Sequence, residues 1–516
     1  MSTPQGGGGG LIGKLKSDYS DYSDHSDPSD IPLPRREGQG WVLTFITIMQ
    51  YYSTNTPATR ESLETAVVKG LAADRGLYMP TSIRPLPQEF FDNIQDMSLQ
   101  EISFRVAECF FGEDIPAEDL RQIVYDTMSF PIPAVKVTDN IYSLELFHGP
   151  TLAFKDVGAR FMARLLGYFN KKQGGDRLVN RRTKLEQNQT CLDYAEQEGG
   201  RPKVNVLVAT SGDTGSAVAN GFLGVPGIHV YVLYPQGKVS PIQECQFTTL
   251  GQNITAIEVD GVFDDCQAMV KSAFMDEELN LHMKLTSANS INVARFLPQS
   301  FYYFWAYAQL KKQGIAVNGA PSAVAPKLVA CVPSGNFGNI CSALFGRRMG
   351  LPIDRFIAAN NANDIFYNYL QTGHYNPRPS TATIANAMDV GDPSNFARIL
   401  DLYGHSHEAI TEHISGATYT DEQIASTMRQ CLSETGYQLD PHGACGYQAL
   451  QDGLRPGEVG FFLETAHPAK FKQVVDDICH TDVEIPARLA AFMQGQKQSI
   501  PMPNDFQAFK QFLLER

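Results

Sequence analysis

From residue 204 onward the hydrophobic positions fall into short apolar runs, separated by glycine-bearing loops and by stretches of helical spacing. Val204 to Ala209, Ile228 to Leu233 and Ile254 to Val259 are β-branched runs of strand length. Lys327 to Val332, Arg355 to Ala359 and Val459 to Leu463 continue the series, with helices predicted at Ser216 to Phe222 and Cys341 to Met349. Strands alternating with helices predict parallel sheets covered on both faces, an α/β fold. Earlier in the chain the spacing is helical, at Ser62 to Gly70, Leu99 to Phe111 and Ala117 to Ser129. That texture predicts a mainly helical N-terminal cap over residues 49–140, a catalytic core over 141–480 and a helical C-terminal segment over 481–516.

Two stretches break the pattern. Residues 1–48 open with Gly6 to Gly10 and continue as a Ser-Asp repeat from Ser17-Asp18 to Ser26-Asp27. Such a segment buries too little apolar surface to order itself, which predicts a disordered extension. Residues 171–203 are polar and charged, and predict a surface insertion in the core.

Composition narrows the function classes. The 516 residues are 43% hydrophobic and 19% charged, the balance of a globular protein. A net charge of −14 disfavours nucleic acid and anionic membranes as partners. No apolar run approaches the ~18 residues of a membrane span. The nine cysteines form no C-x-x-C pair, so they suggest neither zinc nor disulfides and suit a reducing, cytoplasmic compartment. No metal-ligand spacing and no G-x-S-x-G elbow is present, so the sequence supports neither metal-assisted nor triad hydrolysis.

Five segments carry candidate chemistry. Ser211 to Ser216 and Ser334 to Asn339 are glycine-bearing loops that follow a strand and precede a helix. Loops of this kind offer free N–H groups and a positive helix end to an anion, or simply make a tight connection. Lys155 follows a Gly149-Pro150 turn in apolar surroundings. There it is either a desolvated, reactive amine or a lysine reaching out from a helix start. Asn289-Ser290-Ile291-Asn292 with Arg295 offers short donors and a guanidinium fork to a phosphate, or caps a helix. Thr465 ends the strand Val459 to Leu463, where its hydroxyl can pair with a ring nitrogen or cap the next helix.

Together these segments resemble the pyridoxal-phosphate enzymes of fold type II, and within them the long-form threonine synthase family of bacteria and fungi. The resemblance rests on HGPTLAFKD (148–156), ATSGDTGSA (209–217), SANSIN with Arg295, PSGNFGN (333–339), NAMDVGDPSNFAR (386–398) and TAHPAKF (465–471). It implies a tryptophan-synthase-β-like fold, with two lobes that each contain a parallel sheet beside the helical cap. It also implies pyridoxal 5'-phosphate as cofactor, O-phospho-L-homoserine as small-molecule substrate, and a monomer or homo-oligomer.

By position, the resemblance implies that Lys155 carries the cofactor covalently and acts as the catalytic base. Gly335, Asn336, Phe337, Gly338 and Asn339 would hold the cofactor phosphate, although family members often have Asp at the last of these positions. Ser211, Gly212, Asp213 and Thr214 would grip the substrate carboxylate, with Asp213 also near the cofactor. Asn289, Ser290 and Arg295 would bind the substrate phosphate, and Thr465 the pyridine nitrogen. The implied reaction eliminates phosphate from the γ-carbon and adds water at the β-carbon, giving L-threonine. Two alternatives stay open: a phospho-lyase on the same scaffold that releases 2-oxobutyrate, and a non-catalytic relative.

Overall fold

The computed structural model describes residues 49–185, 204–315 and 326–516, with the backbone alone described over 173–185. The expected extension (1–48), and the expected insertion beyond residue 185, lie outside the described residues. What is described of that insertion is helical, because the helix Lys155–Leu185 continues past the predicted loop start at 171. Its Lys, Arg, Gln and Leu residues favour helix strongly enough to outweigh Gly174 and Gly175.

Among the described residues the strands are β1 (Gln50–Ser53), β2 (Glu61–Ser62), β3 (Tyr78–Pro80), β4 (Ala134–Lys136), β5 (Ile141–Glu145), β6 (Val204–Ala209) and β7 (Ile228–Pro235). They continue with β8 (Ile254–Asp260), β9 (Lys284–Ser287), β10 (Lys327–Pro333), β11 (Arg355–Asn360), β12 (Ile414–Thr418), β13 (Glu458–Glu464) and β14 (Ile500–Pro503). Two parallel-sheet layers result. One has the order β12-β11-β10-β13-β5-β4, parallel except for the antiparallel edge strand β4, and the other the order β14-β8-β7-β6-β9, parallel throughout. The chain passes from the first sheet to the second after β5, returns at β10, and crosses again for β14. β13 joins β10 to β5 in register Val329↔Gly460↔Ile141, so β5 lies beside a strand more than 300 residues later in the chain.

The C-terminal segment corrects the helical expectation. Helices Ala487–Met493 and Phe506–Leu514 flank β14, which pairs Ile500 with Ile257 on the edge of the second sheet. β14 reads Ile-Pro-Met-Pro, and prolines argue against a strand except at a sheet edge, where the missing N–H costs nothing. The 49–140 region contains, besides its helices, the small antiparallel sheet β2-β1-β3. Its helices Leu63–Lys69 and Leu99–Phe111 start at Ser62 and Ser98, whose hydroxyls accept from the N–H groups of Thr65 and Glu101, a cap of about 1 kcal/mol each.

Helix Ser300–Lys312 is the hub of the core. It is apolar nearly all round, as a helix surrounded by protein must be, and packs against both Leu99–Phe111 and Gly338–Arg348. Loops at the carboxyl ends of β5, β6, β9, β10 and β13 all turn toward one crevice, the place where parallel α/β sheets collect ligands.

Candidate active site

A cavity of about 580 Å3 lies at these strand ends. Lys155, Ser211, Asp213, Thr214, Asn289, Ser290, Arg295, Gly335, Asn336, Phe337, Gly338, Asn339 and Thr465 all line it. Thirteen of the fourteen residues singled out from the sequence therefore share one cavity. Gly212 does not line it. Its N–H, like that of Gly215, donates to Thr210 Oγ1 (2.9 and 2.8 Å), so this amide shapes the turn and is not free to grip a carboxylate. Gly212 adopts φ +141°, and a Cβ there would stand 2.6 Å from the Gln243 side chain.

Lys155 is placed by the turn ahead of it. The N–H and hydroxyl of Thr151 donate to the Asp156 carboxylate at 2.8 and 2.6 Å, which locks the first turn of helix Lys155–Leu185. Lys155 Nζ lies 4.6 Å from the Phe154 ring centre and 3.7 Å from Asp213 Oδ2. Burial lowers its pKa, and Asp213 only partly offsets that. Asp213 is drawn the other way. Burial disfavours its charge, yet Lys470, Lys155 and Gln243 together hold it well below the usual carboxylate range.

The loop after β10 begins with Ser334, whose N–H donates to Ala359 O, and passes through Phe337 in the left-handed region at φ 61°. A Cβ on Gly335 would meet Ala387 O at 2.9 Å, so only glycine lets the segment 386–390 lie against this loop. Asn339 Oδ1 accepts from the buried hydroxyls of Tyr302 (2.6 Å) and Tyr303 (2.7 Å). Its buried Nδ2 has no partner, and the residue belongs to the cavity wall.

In the Asn289 segment the two readings divide between residues. Asn292 is a cap, with Oδ1 accepting from Ala294 N (3.0 Å) and Nδ2 donating to Val67 O (2.9 Å). Asn289, Ser290 and Arg295 face the cavity. Arg295 is 2% exposed, and its Nε and Nη1 have no hydrogen-bond partner. Burial lowers its pKa to about 10, so it stays cationic at neutral pH. A buried guanidinium with two idle donors is expensive unless an anion completes it.

Sequence reading missed several contributors. Lys470, fully buried behind Asp213, lies within TAHPAKF, so its motif was visible while its partner was not. Gln243 donates to Asp213 Oδ1 at 2.9 Å from a helix with no recognisable motif. The segment Ser380 to Val390 walls the cavity opposite Lys155, and Asp389 ties it down by accepting from Asn361, Asn363 and Thr383. His442 also reaches the cavity. Among the described residues no cluster of His, Cys, Asp and Glu could hold a metal ion, and no helix is long and apolar enough to cross a membrane.

Comparison with known proteins agrees along the chain. Residues 122–463 match the family model described as pyridoxal-phosphate dependent enzyme, residues 50–128 that of the threonine synthase N terminus, and residues 443–513 that of the threonine synthase C-terminal region. Threonine synthase of Serratia marcescens is 41% identical over 466 residues, covering 90% of this chain and 99% of that one. The Escherichia coli threonine synthase is 40% identical over the same shares. Its crystal structure superposes with a TM-score of 0.79 over 90% of this chain and 100% of its own. A structure of pyridoxal-phosphate-bound threonine synthase from Brucella melitensis gives 0.79 at 32% identity, covering 90% and 99%.

Proposed function

The chain belongs to the threonine synthase family of pyridoxal-phosphate dependent enzymes, and on that premise we propose how its residues turn O-phospho-L-homoserine and water into L-threonine and inorganic phosphate. The cavity suits the cofactor: it holds a desolvated lysine amine, an unpartnered Asn339 amide at a helix N-terminus, and a loop that comes close only because Gly335 lacks a Cβ. When bound, pyridoxal phosphate supplies an electron sink for negative charge on the substrate carbons. Lys155 Nζ would hold it. Gly335, Asn336, Phe337, Gly338 and Asn339 would receive its phosphate at the positive end of helix Gly338–Arg348, and Thr465 would meet its ring nitrogen.

Lys155 Nζ, as the free amine, would be the base for the α-proton and then a β-proton, and would return protons to the γ-carbon after phosphate leaves and to the α-carbon at the end. Burial lowers its proton affinity, which favours the free amine over the ammonium. Ser211 and Thr214 orient the substrate carboxylate, and Asp213 faces Lys155. Arg295, with Asn289 and Ser290, holds the substrate phosphate and stabilises the charge that develops as phosphate leaves the γ-carbon. Phosphate retained on Arg295 can then take the proton of the water that adds to the β-carbon.

One observation carries this reading: the unsatisfied guanidinium of Arg295 lines the same cavity as the Lys155 amine. That guanidinium fork matches the phosphate of the substrate, an anion additional to the α-carboxylate that Ser211 and Thr214 orient. The direct test is Lys155→Ala, which should lose cofactor absorbance and turnover together; retained turnover overturns the assignment. We place the reaction in the cytoplasm, where the eight described cysteines, all unpaired, suit a reducing compartment.

A further inference from the structure

Two lysines compete for one carboxylate beneath the cavity. Asp213 Oδ1 lies 2.6 Å from Lys470 Nζ, whereas Asp213 Oδ2 lies 3.7 Å from Lys155 Nζ. Lys470 does not line the cavity and is fully buried. Its ammonium is further satisfied by Thr151 O at 2.8 Å, in the turn that leads into Lys155. Gln243 Nε2 takes the same Oδ1 at 2.9 Å and fixes the carboxylate's rotation. Lys470 follows β13 of one sheet and Asp213 follows β6 of the other, so the contact also pins the two lobes together directly behind the reactive amine.

A buried site with two ammonium groups and one carboxylate carries excess positive charge, and desolvation favours releasing a proton from the worse-paired amine. Attraction falls with distance, so Lys470 at 2.6 Å holds Asp213 more strongly than Lys155 does at 3.7 Å. The other charges that bear on Lys155 are Arg295, a like charge, and the more distant Asp440; the Phe154 ring completes its surroundings. None of these supplies Lys155 with a close anionic partner.

We propose that Lys470 is a positioning residue that claims the Asp213 carboxylate and thereby leaves the Lys155 amine the more weakly paired of the two, able to give up its proton and react with a carbonyl. Removing Lys470 frees Asp213 to close on Lys155, which then keeps its proton. The inference rests on the reading that Lys155 is the amine that carries the cofactor.

The test needs no turnover. In the full-length chain stripped of cofactor, modification of Lys155 by trinitrobenzenesulfonate is followed against pH and quantified by peptide mass spectrometry. Lys470→Met should raise the midpoint by on the order of one pH unit or more, Lys470→Arg should keep it near wild type, and Asp213→Asn should lower it. Damage that merely loosens the fold shifts Lys470→Met and Asp213→Asn the same way. A Lys470→Met midpoint equal to wild type, or shifts of the same sign in both variants, overturns the proposal. Should Lys470→Met not fold, Asp213→Asn decides, and a midpoint at or above wild type refutes the idea. These outcomes are independent of the Lys155→Ala turnover test, so failure here and failure of the functional reading can be told apart.

Discussion

The backbone N–H of Ala387 donates to Nε2 of His442 at 3.1 Å, which makes that nitrogen an acceptor and puts the imidazole proton on Nδ1, 2.9 Å from Asp440 Oδ2. Asp440 is held in turn, its N–H donating to Glu464 Oε1 and its Oδ1 accepting from Gly443 N. Ala387 O is the atom that a Cβ on Gly335 would strike. His442 therefore sets the height of the segment over the cofactor-phosphate loop. His442→Ala should weaken pyridoxal-phosphate binding about tenfold, the effect of losing one hydrogen bond of about 1.4 kcal/mol. Fluorescence titration of the cofactor-free protein reads this, and an unchanged dissociation constant contradicts it.

Arg295 should separate stability from binding. Its guanidinium is buried with two unused donors, so Arg295→Met removes a costly unpaired charge and should leave the melting temperature unchanged or higher. On the proposed role the same change takes charged hydrogen bonds from the substrate phosphate, about 3 kcal/mol or more, and should raise KM for O-phospho-L-homoserine at least ~100-fold. A fall in melting temperature with KM intact contradicts the assignment.

Most of the site was legible because its residues sit in contiguous runs at strand ends. The apolar run Val204 to Ala209 followed by the turn at Ser211 to Thr214 is a local pattern, and the structure adds only that Gly212 shapes the loop from behind. The parallel sheets were legible for the same reason, in strands with a clear apolar run. β5 was not predicted, and β9, β12 and β14 were missed as short strands with lysine, glycine or proline in them that form because a neighbour offers an edge. Lys470, Gln243 and His442 were illegible in a different way. Each acts through a partner distant in sequence, such as Asp213 at 257 positions from Lys470, and nothing local marks a lysine as buried.

Asn339 should prove important to stability as well as to binding. Its Oδ1 is the acceptor for two fully buried tyrosine hydroxyls, Tyr302 and Tyr303. Asn339→Ala should cost about 1 to 3 kcal/mol, because the Tyr302 hydroxyl loses its acceptor and the Tyr303 hydroxyl keeps only the longer bond to the backbone carbonyl of residue 339, 3.5 Å. Urea denaturation of the cofactor-free protein measures it, and a loss well under 1 kcal/mol shows the hydroxyls have other partners.

Glu464 should give the protein a stability that falls with rising pH. Burial, then the Asp440 charge, raises its pKa well above the usual carboxylate value, and its Oε2 has no partner. Above the ordinary glutamate pKa of about 4.3 the unfolded chain loses this proton while the folded one keeps it, so the folded state binds more protons. Stability then declines by about 1.4 kcal/mol per pH unit from this group until the folded pKa is reached. Glu464→Gln removes the slope, so its advantage over wild type should be larger at pH 8 than at pH 5. An equal difference in urea midpoint at the two pH values contradicts the shift.

The most direct measurement is the product balance of the purified, cofactor-loaded chain given O-phospho-L-homoserine, with phosphate and threonine both quantified. The account predicts equal release of the two. Phosphate with 2-oxobutyrate in place of threonine makes the protein a phospho-lyase, and neither product from a loaded protein contradicts the substrate assignment.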